Sequence, residues 1–219
     1  MQKHAVIVAG GSGTRMQSSL PKQFIEVLGQ PILMHTLEAF AFDNIQLILV
    51  LPASQIGFWH ELCQKHAFNI PHKVVEGGSA RFHSVNNGLN AIDGEGLVAI
   101  HDGVRPLIAR DIIQMAFSVA EEKGNAIVSV PLKDSIREYT AQHNKMVDRM
   151  NYRLVQTPQT FRLSLIKKAF KTEFNDGFTD DASVLEAMGE EIHLIDGDYR
   201  NIKITTPEDL KVAEAFLRD

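Results

Sequence analysis

An anion-binding device begins at Ala9. The run Ala9-Gly10-Gly11-Ser12-Gly13-Thr14-Arg15-Met16 follows directly on an apolar, β-branched stretch. Its glycines free the backbone to aim several N–H groups at one anion, and Arg15 sets a guanidinium beside them. The run lacks the lysine-serine ending of a P-loop, and Met16 stands where the dinucleotide fingerprint has its third glycine. Pro21-Lys22-Gln23 brings a second cation from a stiffened turn. A tight strand-to-helix turn with two surface cations is the plainer alternative, and the nearness of Lys22 counts against it. Further on, Asp102 ends a strand-like run, where a carboxylate can face Mg2+ or a substrate hydroxyl; capping the next segment is its other reading. Arg105 can pair with Asp102 or with a substrate. His101 precedes Asp102 on an alternating strand, points the other way and reads as a core histidine.

These groups need a scaffold, and the periodicity supplies one. Ala5 to Ala9, Ile45 to Leu51, His72 to Glu76, Leu97 to Ile100 and Ala126 to Val130 are short apolar runs that read as buried strands. Between them lie helical patterns: Pro31 to Phe40, a helix capped by Ser54 that turns Phe58, Trp59 and Leu62 inward, Ala80 to Ile92, and Arg110 to Lys123. Such alternation predicts an α/β fold, a doubly wound and mainly parallel sheet covered on both faces. Ligands of such sheets sit beyond the carboxyl ends of the strands. Gly10 to Arg15, Gly77 to Arg81 and Asp102 to Arg105 all fall there.

From Pro131 to Pro158 the pattern breaks. Ser135 to Tyr139 and Arg153 to Gln156 alternate like exposed antiparallel strands on either side of a polar turn, Thr140 to Asn144. The segment reads as an inserted β-arm. Beyond it come a helix near Leu163 to Phe170, another capped by Thr179 or Asp180, a strand Ile192 to Ile195, and a closing helix Pro207 to Leu217. At roughly 150 residues per domain, 219 residues make one domain, 1–219, with an elaboration, 131–158.

Composition narrows the class. Hydrophobic residues at 44% and charged residues at 22% are ordinary for a globular chain. With 22 Lys+Arg against 27 Asp+Glu the formal net charge is -5, which offers no global basic field for nucleic acid. A single cysteine, Cys63, leaves no internal disulfide framework. Apolar runs too short for a bilayer and a start without a signal-peptide pattern predict a soluble, cytoplasmic protein with no membrane partner.

The run Val8 to Phe24, VAGGSGTRMQSSLPKQF, resembles the signature of the nucleotidylyltransferases that join sugar or polyol phosphates to nucleoside triphosphates. Gly77 to Val85, His101 to Pro106, Gln156 to Gln159, Thr179 to Ala182 and Asn201 to Thr205 follow in the order seen among the methylerythritol-phosphate cytidylyltransferases. The resemblance spans nearly the whole chain. It implies a Rossmann-like nucleotidyltransferase fold, CTP as co-substrate with Mg2+, and a homodimer formed through the arm. It places Gly10, Gly11, Gly13, Thr14, Arg15 and Lys22 around the triphosphate, and Ala9, Gly78, Ser79 and Ser84 at cytosine and ribose. Arg149 corresponds to an arginine that binds the acceptor's phosphate from the neighbouring subunit, and Lys203, expected on a short strand before Thr206-Pro207, to a lysine that orients the acceptor. Ser135, Thr157 and Thr179 correspond to positions facing the acceptor or the site's entrance. Arg81 is expected to support the site, and Asp180 and Asp181 to be helix N-terminal charges. Ser79 stands where relatives often carry an acid, and Tyr152-Arg153 replaces a common Leu-Trp pair; Arg153 therefore competes with Arg149 for the phosphate role.

The implied reaction is attack of a phosphate oxygen on the α-phosphate of CTP, expelling pyrophosphate. A phosphate monoester, with its second pKa near about 6, is already anionic at neutral pH. Such chemistry asks for cations and positioning, and the sequence offers these and no nucleophilic triad. Transfer to ribitol 5-phosphate by a close relative, hexose-1-phosphate nucleotidylyl transfer, and a non-catalytic nucleotide-binding regulatory module are the competing readings.

Overall fold

Side chains alternate faces along each apolar strand, and this divides the core in two. The structure is a computed structural model that describes residues 1–10 and 20–218. In chain order the strands and helices are β1 (Lys3–Val8), β2 (Glu26–Val27), β3 (Gln30–Pro31), α1 (Ile32–Phe40), β4 (Gln46–Leu51), α2 (Ala53–Lys65), β5 (Lys73–Glu76), α3 (Arg81–Asn90), β6 (Leu97–Asp102), α4 (Arg110–Lys123) and β7 (Asn125–Pro131). There follow β8 (Arg137–Tyr139), β9 (Asn144–Met146), β10 (Arg153–Arg162), α5 (Leu163–Ala169), α6 (Asp181–Glu186), β11 (Leu194–Asp196) and α7 (Pro207–Leu217). Seven strands form one sheet in the order β11-β7-β10-β6-β1-β4-β5. β1 pairs parallel with β4 and β6, β4 with β5, and β7 with β11. β10 alone runs against its neighbours β6 and β7.

On one face, Ala5, Ile7, Leu47, Leu49 and Ala99 pack with Leu33, Leu37, Trp59, Ile113 and Phe117 of α1, α2 and α4. On the other, Val6, Ile48, Val50, Val98 and Phe161 pack with Val85, Leu89, Ile166 and Leu185 of α3, α5 and α6. The expected doubly wound layering is present.

Four local expectations change. Ser54 lies in the first turn of α2, whose N-cap is Pro52, and makes no side-chain cap bond. Phe58 is exposed, because a helix step of about 100° turns it away when its neighbour Trp59 takes the buried stripe. Residues 201–205, carrying Lys203, form no strand. Finally, the hairpin on the far side of β7 pairs Arg137–Tyr139 with Asn144–Met146. Arg153 to Gln156, expected in the arm, instead opens β10, where Arg153 pairs with Pro131 and the strand continues into the central sheet. Its polar, proline-containing middle carries no strand signal, and Pro158 falls within a register shift between Val155 and Gln159.

Candidate active site

The strand order reverses at β1: β4 and β5 lie on one side, β6 and everything beyond it on the other. The crevice between the carboxyl ends of β1 and β6 is therefore where a doubly wound sheet receives its ligand. Gly103 closes the two strand ends together, donating from its N–H to the Val8 carbonyl at 2.9 Å. A Cβ at this position would lie 2.9 Å from Ala9 Cβ and 3.0 Å from Leu33 Cδ1, so glycine is what the close approach allows.

Asp102, the last residue of β6, gathers the charges. Lys203 Nζ lies 3.0 Å from its Oδ2, Arg105 Nε 3.3 Å from the same oxygen, and Arg81 Nε 3.7 Å from Oδ1. Burial alone would raise the Asp102 carboxyl, but the charges of Arg81, Lys203 and Arg105 hold it well below the usual carboxylate range. Arg81 is in turn anchored by a bidentate pair with buried Asp181, both N···O distances being 2.7 Å. Burial opposes the Arg81 charge, and the Asp181 pair and hydrogen bonds, with Asp102 and Asp180, keep it protonated. Arg105 also donates from Nη1 to the Asn201 carbonyl at 2.8 Å, and Lys22 Nζ donates to the Ile204 carbonyl at 3.3 Å. The 201–204 segment thus carries Lys203 to Asp102 and accepts hydrogen bonds from Arg105 and Lys22.

A chain of hydrogen bonds supports this arrangement from below. The Asp102 N–H donates to Thr157 Oγ1 at 3.1 Å, and that oxygen lies 3.0 Å from His101 Nδ1. His101 Nε2 is 3.0 Å from the Arg105 carbonyl, which has no proton to give. Nε2 therefore donates, and Thr157, whose oxygen accepts from Asp102, gives its proton to Nδ1. Burial keeps this imidazole neutral, lowering its pKa to about 4 against the opposing pull of its backbone bond to Arg105 and of Asp102. His101 is the core histidine expected. Its ring also lies 4.9 Å from that of Phe40.

Two cavities meet at Asp102. The first, about 230 Å3, is lined by Ala9, Gly10, Lys22, Gly78, Ser79 and Ser84 among others. The second, about 280 Å3, is lined by Arg105, Gln156, Thr157, Gln159, Thr179 and Asp180 among others. Arg81, Asp102 and Lys203 belong to both walls. Of the residues expected from the sequence, Ala9, Gly10, Lys22, Gly78, Ser79, Ser84 and Asp102 line the first cavity, and Arg105, Thr157 and Thr179 line the second; those on the arm line neither. Ser135 is exposed and lines neither cavity, and Arg149 donates to the Lys133 carbonyl at the base of the arm. Arg153 pairs with Asp196 and Ser129 beside the sheet, which commits it away from either cavity. Gly11, Gly13, Thr14 and Arg15 lie outside the described residues.

Three participants had no role assigned from sequence. Gln23 donates to the Ala9 carbonyl at 3.0 Å and fixes the start of the glycine loop. Gln159 donates to Asp180 and accepts from Ala182 N–H, both at 2.8 Å, holding the α6 N-terminus against β10. Asn201 donates to the Thr157 carbonyl at 2.8 Å. Gln159 and Asn201 are buried polar residues, and that is legible only once their surroundings are known to be apolar. Asp180 caps α6 through a capping box, while Asp181 is drawn inward to Arg81.

The sequence profile of the 2-C-methyl-D-erythritol 4-phosphate cytidylyltransferase family matches residues 3–219. The Bacteroides fragilis protein of that name is 51% identical over 219 residues, covering 99% of this chain and 100% of its own. The 4-diphosphocytidyl-2C-methyl-D-erythritol synthase structure from Anaerococcus prevotii superposes with a TM-score of 0.84 at 30% identity, over 100% of this chain and 96% of that one. The Thermus thermophilus 2-C-methyl-D-erythritol 4-phosphate cytidylyltransferase does so with a TM-score of 0.82 at 29% identity, over the full length of both. Since the match runs from β1 through α7 and takes in the arm as well as the glycine loop, this chain belongs to the 2-C-methyl-D-erythritol 4-phosphate cytidylyltransferase family.

Proposed function

We propose that this chain transfers CMP from CTP to 2-C-methyl-D-erythritol 4-phosphate, releasing pyrophosphate and 4-diphosphocytidyl-2-C-methyl-D-erythritol, a step of the methylerythritol-phosphate route to isoprenoid precursors. The observation that carries the reading is the junction of two cavities at a carboxylate that organises three cations. CTP occupies the first cavity, its base against Ala9, Gly78, Ser79 and Ser84 and its phosphates toward Gly10, Lys22 and the glycine loop with Arg15. The acceptor occupies the second, against Arg105, Thr157 and Thr179, so that its phosphate reaches the α-phosphate beside Lys203. The attacking oxygen carries its charge already, and in-line displacement needs no base from the protein. Lys22 and Lys203 offset the repulsion of two polyanions; a unit-charge pair at 4 Å is worth about 4 kcal/mol at an effective dielectric of 20.

Asp102 serves in this reading as the post on which Lys203 and Arg105 are held. Its carboxylate already faces three cations, and no group of three or more His, Cys, Asp or Glu side chains that could hold an ion occurs among the described residues. These residues do not fit a resident metal. Mg2+ belongs to the substrate, arriving on the phosphate oxygens of CTP. A homodimer is part of the reading too. Tyr139, Met146, Met150 and Leu154 are exposed on and beside the arm, an apolar surface that a second copy would cover while bringing Arg149 and Ser135 to the acceptor. Among the described residues no helix is long and apolar enough to cross a membrane, and one half-buried free thiol, Cys63, suits the reducing cytoplasm.

Pyrophosphate release tests the function. With CTP and methylerythritol phosphate the chain turns over; with ATP, GTP or UTP, or with ribitol 5-phosphate, it turns over far more slowly. Release with ribitol 5-phosphate and none with methylerythritol phosphate overturns the assignment.

A further inference from the structure

The wall of the first cavity contributed by Gly78, Ser79 and Ser84 presents only neutral hydrogen-bonding groups. Ser84 is committed: its oxygen accepts from the Gly78 N–H at 3.1 Å and its proton has the Ala80 carbonyl at 3.1 Å. Ser79 is committed differently. Its Oγ lies 3.0 Å from Nδ1 of His83, which sits in the first turn of α3 and does not line the cavity. The His83 ring is fixed from two sides, its centroid 5.6 Å from that of Phe82 and 5.3 Å from that of Phe174. Gly78 completes the fit, because a Cβ there would fall 2.3 Å from the Cβ of His83. The imidazole is thus held in place to meet one hydroxyl.

A serine hydroxyl is ambivalent: it can donate or accept toward a ligand, and a free rotor selects neither. We propose that His83 is a positioning residue for base recognition, its Nδ1 accepting the Ser79 proton so that Ser79 Oγ faces the cavity as an acceptor. An acceptor at that wall pairs with an exocyclic amino group, which cytosine has, and opposes a carbonyl oxygen, which uracil has in its place. His83 thereby converts a neutral side chain into a device that favours CTP over UTP. The inference rests on the reading of the first cavity as the CTP site. The opposite polarity, with Nδ1–H donating to Ser79, would aim the serine proton into the cavity and favour UTP.

Two substitutions separate hydrogen bonding from packing. His83→Phe keeps an aromatic ring against Phe82 and Phe174 but removes the acceptor; His83→Asn keeps an acceptor at the δ position and removes the ring. Steady-state kinetics with CTP and with UTP, at saturating methylerythritol phosphate, are to be read alongside thermal melts of each variant. His83→Phe should raise KM for CTP roughly 3- to 10-fold, the range of one neutral hydrogen bond. Its kcat should change less than about twofold, and its preference for CTP over UTP should shrink by the same 3- to 10-fold factor. His83→Asn should stay close to the parent. An unchanged KM and nucleotide preference in His83→Phe overturns the proposal, as does equal damage by both variants with both triphosphates, which is the mark of packing alone. Calorimetric titration of CTP tells the two readings apart. If the parent chain binds no CTP, the cavity assignment has failed; if parent and His83→Phe bind CTP equally, only the role of His83 has.

Discussion

Lys203 Nζ and Asp102 Oδ2 stand 3.0 Å apart at the wall shared by two cavities. The lysine is partly exposed and the carboxylate buried, so the pair is a buried post that holds a charge on its outer side. Lys203→Ala should lower kcat by roughly 10²- to 10³-fold, the range for loss of one preorganised charge at a reacting centre. Asp102→Asn should do similar damage by releasing Lys203 and Arg105 from their anchor. Because the two act as a unit, the double variant should be little worse than either single one. Additive losses would show that each contributes by itself.

Lys22 differs in its anchoring. It donates to the Ile204 carbonyl, one residue beyond Lys203, and lines the first cavity but not the second. A charge that acts on the α-phosphate as it becomes five-coordinate should matter more to turnover than to ground-state binding. Lys22→Ala should therefore reduce kcat at least tenfold beyond any loss in CTP affinity, with calorimetry measuring the affinity. An equal fall in both would make Lys22 a uniform binder.

The parallel half of the fold was legible because its strands are continuous apolar runs and its helices amphipathic. Arg110–Lys123 and Pro207–Leu217 come out at the predicted limits. β10 was not legible beyond its first residues. Gln156, Thr157 and Gln159 are all buried, and their polarity is explained only by the partners they meet: Asp198, Asp102 and Asp180. The site followed the same rule. Motif residues at strand ends could be named from spacing, whereas Arg81 and Asp181, a hundred residues apart, become a pair only when α3 and α6 pack on one face of the sheet.

Thr157 offers a test of the support beneath Asp102. It is buried, and its hydroxyl serves the Asp102 N–H and His101 Nδ1 at once. Thr157→Val keeps the shape and strands both partners, which should cost about 1–3 kcal/mol of stability per unsatisfied group. Thr157→Ser should restore most of it. Urea denaturation of the three proteins measures the difference, and indistinguishable midpoints would remove Thr157 from the network.

The neutral state of His101 makes the fold sensitive to acid. Its folded pKa is lowered to about 4, chiefly by burial, whereas an unfolded histidine titrates near about 6.5. Between these values the unfolded chain takes up a proton that the folded chain refuses. Stability should therefore fall as pH drops from about 6.5 toward 4, by about 1.4 kcal/mol per unit for this group and about 3 kcal/mol in all. Buried His4, also shifted downward by burial, adds to the same slope. Asp102 does not, because its carboxyl lies well below the ordinary range and the stability it contributes is lost only in stronger acid. Urea unfolding at pH 7.5, 6 and 5 reads the slope, and His101→Asn should flatten it. A slope unaltered by His101→Asn would show that other groups set the acid limit.

The arm reading makes the strongest demand on assembly. Arg149 is bound at the arm's base to the Lys133 carbonyl and lines neither cavity of its own chain, while the arm's apolar side chains face outward. If a second copy covers that surface, each active site takes Lys22 from one chain and Arg149 from the other. Lys22→Ala and Arg149→Ala homodimers should then both be nearly inactive. Co-refolding them in equal amounts should make about half of the dimers mixed. In a mixed dimer one site carries both defects and the other carries none. About a quarter of the parent activity should therefore return, and sedimentation should show a dimer throughout. Activity no greater than the sum of the two variants alone would place Arg149 with its own chain's site, or with none.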